Sequence, residues 1–308
     1  MLFFGFDSIS VRYCTGEMTR KVLVLALLTV ALAVYVLYDP TDYAALLAAK
    51  RVVVCGASSG IGEELAYTYS RYGAKLLITA RRENLLKNVA QRCSELGAES
   101  VDYVALDLKN EAGTTKLIDK AVSVMGGIDV IVLNHALMLF KSLNFSSDVD
   151  LEKAREVFSI NTLSYIFLVH KAMPYLEQSH GSIVVLSSFL GKFGIPYFAL
   201  YSASKHALQG YFDSLRHELI VAKSNVSITT IVLGRVRTQT AYNQLANKTI
   251  TNWLEPNTTA KVIVKAGVRK EQDFYYSYIE FSAMSYLRIW LPRLYGYLLR
   301  SYLDPPDN

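Results

Sequence analysis

From residue 51 onward, the chain alternates short apolar runs with stretches of helical period. Apolar runs stand at 51–55, 75–80, 101–106, 128–133, 181–187 and 226–233. Patterns of helical spacing fall between them at 63–72, 83–97, 111–125, 150–178 and 198–222. The runs are continuous and rich in Val, Ile and Leu rather than alternating, as strands covered on both faces require. Strand and helix in strict alternation predict an α/β doubly wound parallel sheet with helices on both faces. The length suggests about two domains at ~150 residues each. No Pro/Gly/Ser-rich linker and no repeat interrupts 45–280, so one catalytic domain over 48–280 is the better reading.

Within that pattern, Tyr201-Ser202-Ala203-Ser204-Lys205 sets a phenol and an ammonium four residues apart in an expected helix. That spacing stacks both side chains on one face. A nearby cation favours the phenolate, which would bring a group that ionises near pH ~10 closer to neutrality and make it a proton donor or acceptor. With 21 Tyr in the chain, such a pair alone fits an ordinary amphipathic helix. Its neighbours give it weight. The run Gly181–Ser188 reads as a buried strand ending in two hydroxyls, thirteen residues before the tyrosine. The C-terminal end of such a strand is where open α/β sheets hold their ligands. Near the start, strand Arg51–Cys55 runs into Gly56-Ala57-Ser58-Ser59-Gly60-Ile61-Gly62 and then a helix. Strand, glycine-rich turn and helix in that order form a dinucleotide-binding arrangement, with the pyrophosphate at the helix N-terminus.

Together these elements resemble the short-chain dehydrogenase/reductase family over nearly all of 48–280, which implies a Rossmann-type fold. The family's cofactor turn is met by Gly56, Gly60 and Gly62, with Cys55 in place of its usual Thr. Its motif after the fourth strand appears as Asn134-His135-Ala136, and Leu233 replaces the Pro that usually precedes Gly234. Those two forms, with the Tyr-Ser-Ala-Ser-Lys core, resemble the 11-beta-hydroxysteroid dehydrogenase branch of the family. The resemblance implies a catalytic set of Asn161, Ser188, Tyr201 and Lys205. Tyr201 would exchange a proton with a substrate oxygen that Ser188 orients. Lys205 would lower the tyrosine's pKa and hold the nicotinamide ribose, and Asn161 would hold a water leading to solvent. Ser58, Ser59 and Ile61 in the turn, Asn134, Val236 and Thr238 would contact the cofactor. Asp107 resembles the family's adenine contact, with helix capping as its alternative.

Charge selects the cofactor. The second strand ends in Arg81-Arg82 with no acid before Glu83, which favours the extra phosphate of NADP(H), with Arg81 as its contact. Around Ser188, Phe193 and Tyr197 are candidates for the substrate wall. The expected substrate is a lipophilic ketone or alcohol. A steroid comes first, by resemblance, ahead of retinoids, sphingoid bases and xenobiotic carbonyls. A non-catalytic, membrane-tethered binding protein is the alternative from another class, and the retained Tyr201 and Lys205 speak against it.

The ends of the chain differ from the core. Val22–Tyr38 is seventeen residues without a charge, at the short edge of a bilayer span. We expect an uncleaved anchor at 22–38 behind a flank at 1–21, rather than a cleaved signal peptide. Arg12, Arg20 and Lys21 precede it while Asp39 and Asp42 follow, which places the catalytic domain in the lumen of the endoplasmic reticulum. Sequons at Asn144, Asn225, Asn247 and Asn257 agree with that side, whereas an inverted anchor would face the cytosol. The three cysteines, Cys14, Cys55 and Cys93, form no disulfide framework. The segment 281–308 mixes aromatics and aliphatics with Arg288, Arg293 and Arg300, suiting a membrane interface or a homodimer contact. A net charge of +5 without a clustered basic stripe argues against nucleic acid.

Overall fold

In the computed structural model, the described residues are 22–24, 26, 39–141, 148–245 and 253–302. Seven strands form one parallel sheet in the order β3-β2-β1-β4-β5-β6-β7. They are β1 Arg51–Cys55, β2 Lys75–Ala80, β3 Ser100–Ala105, β4 Val130–Leu133, β5 Ser182–Ser188, β6 Ser227–Leu233 and β7 Asp273–Tyr276. The helices before β4 are α1 Tyr43–Leu47, α2 Gly60–Arg71, α3 Glu83–Glu95 and α4 Glu111–Met125. After it come α5 Asp148–Phe158, α6 Ser164–Ser179, α7 Ala199–Val221, α8 Gln239–Leu245 and α9 Pro256–Val268. A final pair, α10 Tyr278–Trp290 and α11 Pro292–Tyr302, follows β7. The six strands read from the apolar runs are all present, and β1 and β2 match to the residue. β7, Asp-Phe-Tyr-Tyr, is too short and too polar at its start to have been read from the pattern.

Two apolar layers hold the sheet. One face buries Val52, Val54, Leu76 and Ile78 under α2, α3 and α9. The other buries Val53, Leu77, Ile131 and Ile183 with Leu117, Leu168 and Phe212 of α4, α6 and α7. Each strand supplies alternate residues to the two layers, which is why the runs are apolar without a break. The strand order reverses between β1 and β4, so a crevice opens at the C-terminal edge there, the usual ligand position of such sheets.

The stretch expected to be one helix over 150–178 contains a change of winding. Between α5 and α6, Ser159–Leu163 forms a π-turn with Asn161 at its centre. Single π-turns inside helices recur at functional sites, because they swing a side chain or carbonyl out of register.

Residues from Tyr43 on form one unit and the preceding ones another. In the first unit, Val22–Val24 and Ala26 are helical. Among the described residues no helix is long and apolar enough to cross a membrane. Most of the expected span at 22–38 lies outside them, as do Cys14 and the sequons at Asn144 and Asn247. Asn225 and Asn257 are exposed.

Candidate active site

A cavity of about 1180 Å³ follows the C-terminal edge of the sheet. Drug-sized pockets run to roughly 1,000 Å³, so this one has room beyond a single small ligand. It joins two dissimilar halves.

The first half is built by backbone. Gly56 takes φ +76°, and a Cβ there would stand 2.8 Å from the His135 Cα. At Gly62 a Cβ would lie 2.1 Å from the Gly56 carbonyl oxygen, so the turn folds directly onto α2. Gly62 is therefore a packing residue beneath the turn and does not line the cavity. Asn134 Nδ2 donates to the Cys55 and Gly56 carbonyls at 3.3 and 3.0 Å, clamping the end of β4 to the turn. Ser59 precedes α2 but makes no side-chain capping bond. The first-turn N–H groups of α2 are therefore not claimed by that hydroxyl. Arg82 Nη2 donates to Ser58 Oγ at 2.9 Å and to Ser59 Oγ at 2.6 Å. Arg82, rather than the favoured Arg81, closes over the turn, although both line the cavity. Asp107 also lines it, and the cap of α4 belongs to Asn110, whose Oδ1 accepts from Gly113 N at 2.9 Å.

The second half is built by side chains. Ser188 ends β5, with Oγ accepting from Leu190 N at 3.2 Å and hydrogen-bonded to the Tyr201 phenol. Its neighbour Ser187 is buried and accepts from Gln209 Nε2 at 2.7 Å, which leaves it a structural hydroxyl. Tyr201 and Lys205 share one face of α7. Lys205 is 2% exposed, and its Nζ donates to the Leu186 carbonyl at 2.8 Å. That Nζ stands 5.4 and 5.9 Å from the ring centroids of Tyr165 and Tyr201.

The expected depression of the Tyr201 pKa does not appear in the free protein. Burial pushes the phenol up to about 12, against a smaller pull downward from the Ser188 hydrogen bond. Burial also brings Lys205 down to about 7. Desolvation disfavours both charged forms, so at neutral pH Tyr201 is a protonated phenol. His135, half-buried beside them, is lowered to about 3, mainly by burial and then by the Lys205 charge, and stays neutral.

Asn161 is fully buried and does not line the cavity. Its Oδ1 accepts from Leu137 N at 2.7 Å, while Nδ2 donates to Leu137 O at 2.9 Å and Ser204 Oγ at 3.0 Å. The side chain expected to hold a water instead joins the β4 loop to α7 between Tyr201 and Lys205.

Tyr197 is also displaced from its expected role. It takes φ +66°, meets Phe140 edge-on at 5.7 Å and does not line the cavity. Phe193 does, with Phe189, Leu190, Ile195 and Phe198, none of which had a spacing signal except through adjacency to Ser188. Phe193 stacks on Phe281 of α10 at 5.9 Å and meets Tyr295 of α11 edge-on at 6.5 Å. Met284 and Leu298 of the same helices complete that wall. Among the described residues no cluster of His, Cys, Asp or Glu could hold a metal ion. Buried Cys55 has its thiol pKa pushed up by burial, as an unreactive core cysteine.

The wall residues fit a dinucleotide. The glycine turn admits close backbone approach, α2 presents its N-terminus, Arg81 and Arg82 supply positive charge at the end of β2, and Thr238 packs over Gly60. Fold and site together define a nucleotide-dependent oxidoreductase, and the short chain dehydrogenase family model matches residues 50–249. The chain belongs to the short-chain dehydrogenase/reductase family, whose members act on CH–OH groups. It is 42% identical over 268 residues to the hydroxysteroid 11-beta-dehydrogenase 1-like protein of Xenopus tropicalis, covering 87% of this chain and 92% of that one. It is 39% identical over 248 residues to the protein of the same name from Danio rerio, covering 80% and 85%. Among solved structures, a short-chain dehydrogenase/reductase from Burkholderia phymatum in complex with NAD superposes with a TM-score of 0.72 at 22% identity, over 85% of this chain and 99% of that one. An alcohol dehydrogenase from Thermococcus sibiricus complexed with 5-hydroxy-NADP gives 0.65 at 24% identity, over 74% and 95%. At those identities the two structures speak for the fold alone.

Proposed function

We propose that this protein is a membrane-anchored, NADP(H)-dependent oxidoreductase that interconverts a ketone and a secondary alcohol on a lipophilic substrate of the steroid class. The observation that carries the reading is the Ser188–Tyr201 hydrogen bond at the junction between the glycine turn and the aromatic wall. The nicotinamide supplies or accepts the hydride when bound. Ser188 orients the substrate oxygen. Tyr201 is the proton donor during reduction, and its protonated state near neutral pH suits that direction. Lys205 sits one turn along α7, with an amine near pH 7 that is able to return the proton.

NADP(H) is preferred over NAD(H) because two arginines and no acid follow β2. The relatives' names support a steroid, as does an apolar wall of Phe, Leu, Ile and Met. Anchoring at 22–38, luminal placement in the endoplasmic reticulum and a homodimer complete the proposal. They rest on the charge-free run, its flanking charges and exposed apolar side chains on α10 and α11, among them Trp290 at 74% and Ile289 at 69%.

The test is NADPH oxidation by detergent-solubilised protein against keto-steroids, retinal and 3-keto sphingoid bases, with Tyr201→Phe in parallel. Turnover on keto-steroids that vanishes in the variant is expected. Turnover confined to another class would replace the substrate, and NADPH binding without turnover on any class would favour the non-catalytic alternative.

A further inference from the structure

The wall of the cavity carries five basic side chains, and four of them have a place in the account above. Arg81, Arg82 and Lys109 stand with Asp107 at the dinucleotide end, and Lys205 is bound to the Leu186 carbonyl beside Tyr201. The fifth is Arg235. It belongs to the loop from β6 to α8, and neighbouring packing locates it along that loop. At its start, Gly234 lies against Phe189, whose ring a Cβ there would meet at 3.3 Å. Phe189 in turn touches Phe193 and Phe281 in the aromatic wall, with centroids 6.2 and 5.3 Å apart. At the other end, Thr238 covers Gly60 in the dinucleotide turn. Arg235 is therefore next to the aromatic end.

Its backbone is fixed as well. The Arg235 carbonyl accepts from Leu254 N at 2.8 Å, Arg237 N donates to Leu254 O at 2.8 Å, and buried Val236 bridges to Leu254. The neighbouring Trp253 lines the same cavity. A guanidinium held beside Phe189, Trp253 and Met284 offers planar, paired donors in apolar surroundings, where a charge-assisted hydrogen bond is strongest.

We propose that Arg235 is a specificity-determining residue, and that the lipophilic substrate carries an oxyanion, a sulfate ester or a carboxylate, which this guanidinium receives. The inference rests on the catalytic reading given under the proposed function. It narrows the substrate from any lipophilic ketone to an amphipathic one, with a rigid apolar body against the phenylalanines and a charged group at Arg235.

The experiment compares matched pairs, a keto-steroid with its sulfate ester and a keto bile acid with its methyl ester. Each is measured for kcat/KM with NADPH and for binding by protein-fluorescence quenching in the presence of NADP⁺. In the wild type the charged member is expected to exceed the neutral one by about ten-fold or more, the size of one hydrogen bond to a charged group. That ratio should collapse toward one in Arg235→Leu and be partly kept in Arg235→Lys. Which pair gives the larger ratio separates sulfate from carboxylate. Equal values within both wild-type pairs overturn the inference, and need no variant to fold. A ratio unchanged in Arg235→Leu, with NADPH bound more weakly whatever the substrate, overturns it too and moves Arg235 to the cofactor. Preferential binding of the charged members without turnover of either would uphold this inference while sinking the catalytic reading. Turnover without preference would do the reverse.

Discussion

The two halves of the cavity are made by different means. The dinucleotide half comes from local chain, with a strand, a turn and a helix within 51–71, completed by Asn134 and by Arg82 at the end of the next strand. Its contacts are backbone approaches that leave no room for a methyl group. The substrate half collects side chains from 137–138, 186–198, 233–241, 253 and 283–299. Its contacts are aromatic faces 5–7 Å apart, which tolerate exchange of one apolar group for another. A rigid half that holds a common cofactor is thus joined to an adaptable half that selects the substrate. Changes in the first should cost folding or cofactor affinity, and changes in the second should alter KM and substrate choice.

The largest effect belongs to the junction. Tyr201→Phe should lower kcat by ~10²–10⁴-fold, the usual contribution of a general acid, while NADPH binding followed by fluorescence stays within a factor of a few. Loss of both would mean that the phenol is structural. Next comes Gly62→Ala, whose new Cβ would meet the Gly56 carbonyl oxygen at 2.1 Å. A loss of ~1–3 kcal/mol or more in thermal or denaturant unfolding is expected, together with weakened NADPH binding. An unchanged Tm would show that the turn has slack.

Arg82→Ala should raise the Kd for NADPH by about ten-fold and that for NADH much less, one charge-assisted contact being worth ~1.4 kcal/mol or more. Equal loss for both cofactors would instead make Arg82 a brace for Ser58 and Ser59. On the other half, Phe193→Ala should raise KM for the substrate several-fold while sparing the NADPH Kd. An effect on the NADPH Kd alone would contradict the division.

The smallest effect is a pH dependence of the free protein's stability. Lys205 falls from an ordinary 10.5 to about 7 on folding, so between those values the unfolded chain binds the extra proton and stability rises with pH. Tyr201 shifts the other way, from 10.0 to about 12, so between those values its contribution falls as pH rises. Scanning calorimetry should show that Lys205→Met flattens the slope from pH 7 to 10. A slope that survives the substitution would assign it elsewhere.

How much of this was legible follows from how far apart the parts lie. The glycine turn and the Tyr201–Lys205 pair are local, so spacing identified them, and the choice of Ser188 over Ser187 holds because Ser187 turns to Gln209. Arg81 and Arg82 were not separable by charge, and the reach of Arg82 to Ser58 and Ser59 decided between them. Tyr197 looked suitable by type and place, but its left-handed backbone directs it to Phe140 and leaves the wall to Phe198 and Phe193. Asn161 had a position but no surroundings, and its amide proved to be a tie between Leu137 and Ser204.

The sequence by itself determined the alternation of buried strands and covering helices, the phosphate-side turn and the order of the acid–base residues. Each depends on periodicity or on neighbours within a few turns of chain. Only the tertiary structure decided the protonation of Tyr201 and Lys205, because the sign of a pKa shift depends on whether burial or a neighbouring charge is larger, and burial is set by the whole fold. It also decided which aromatic rings face the substrate and brought Arg235 beside them, since that wall is assembled from segments spread between 137 and 299.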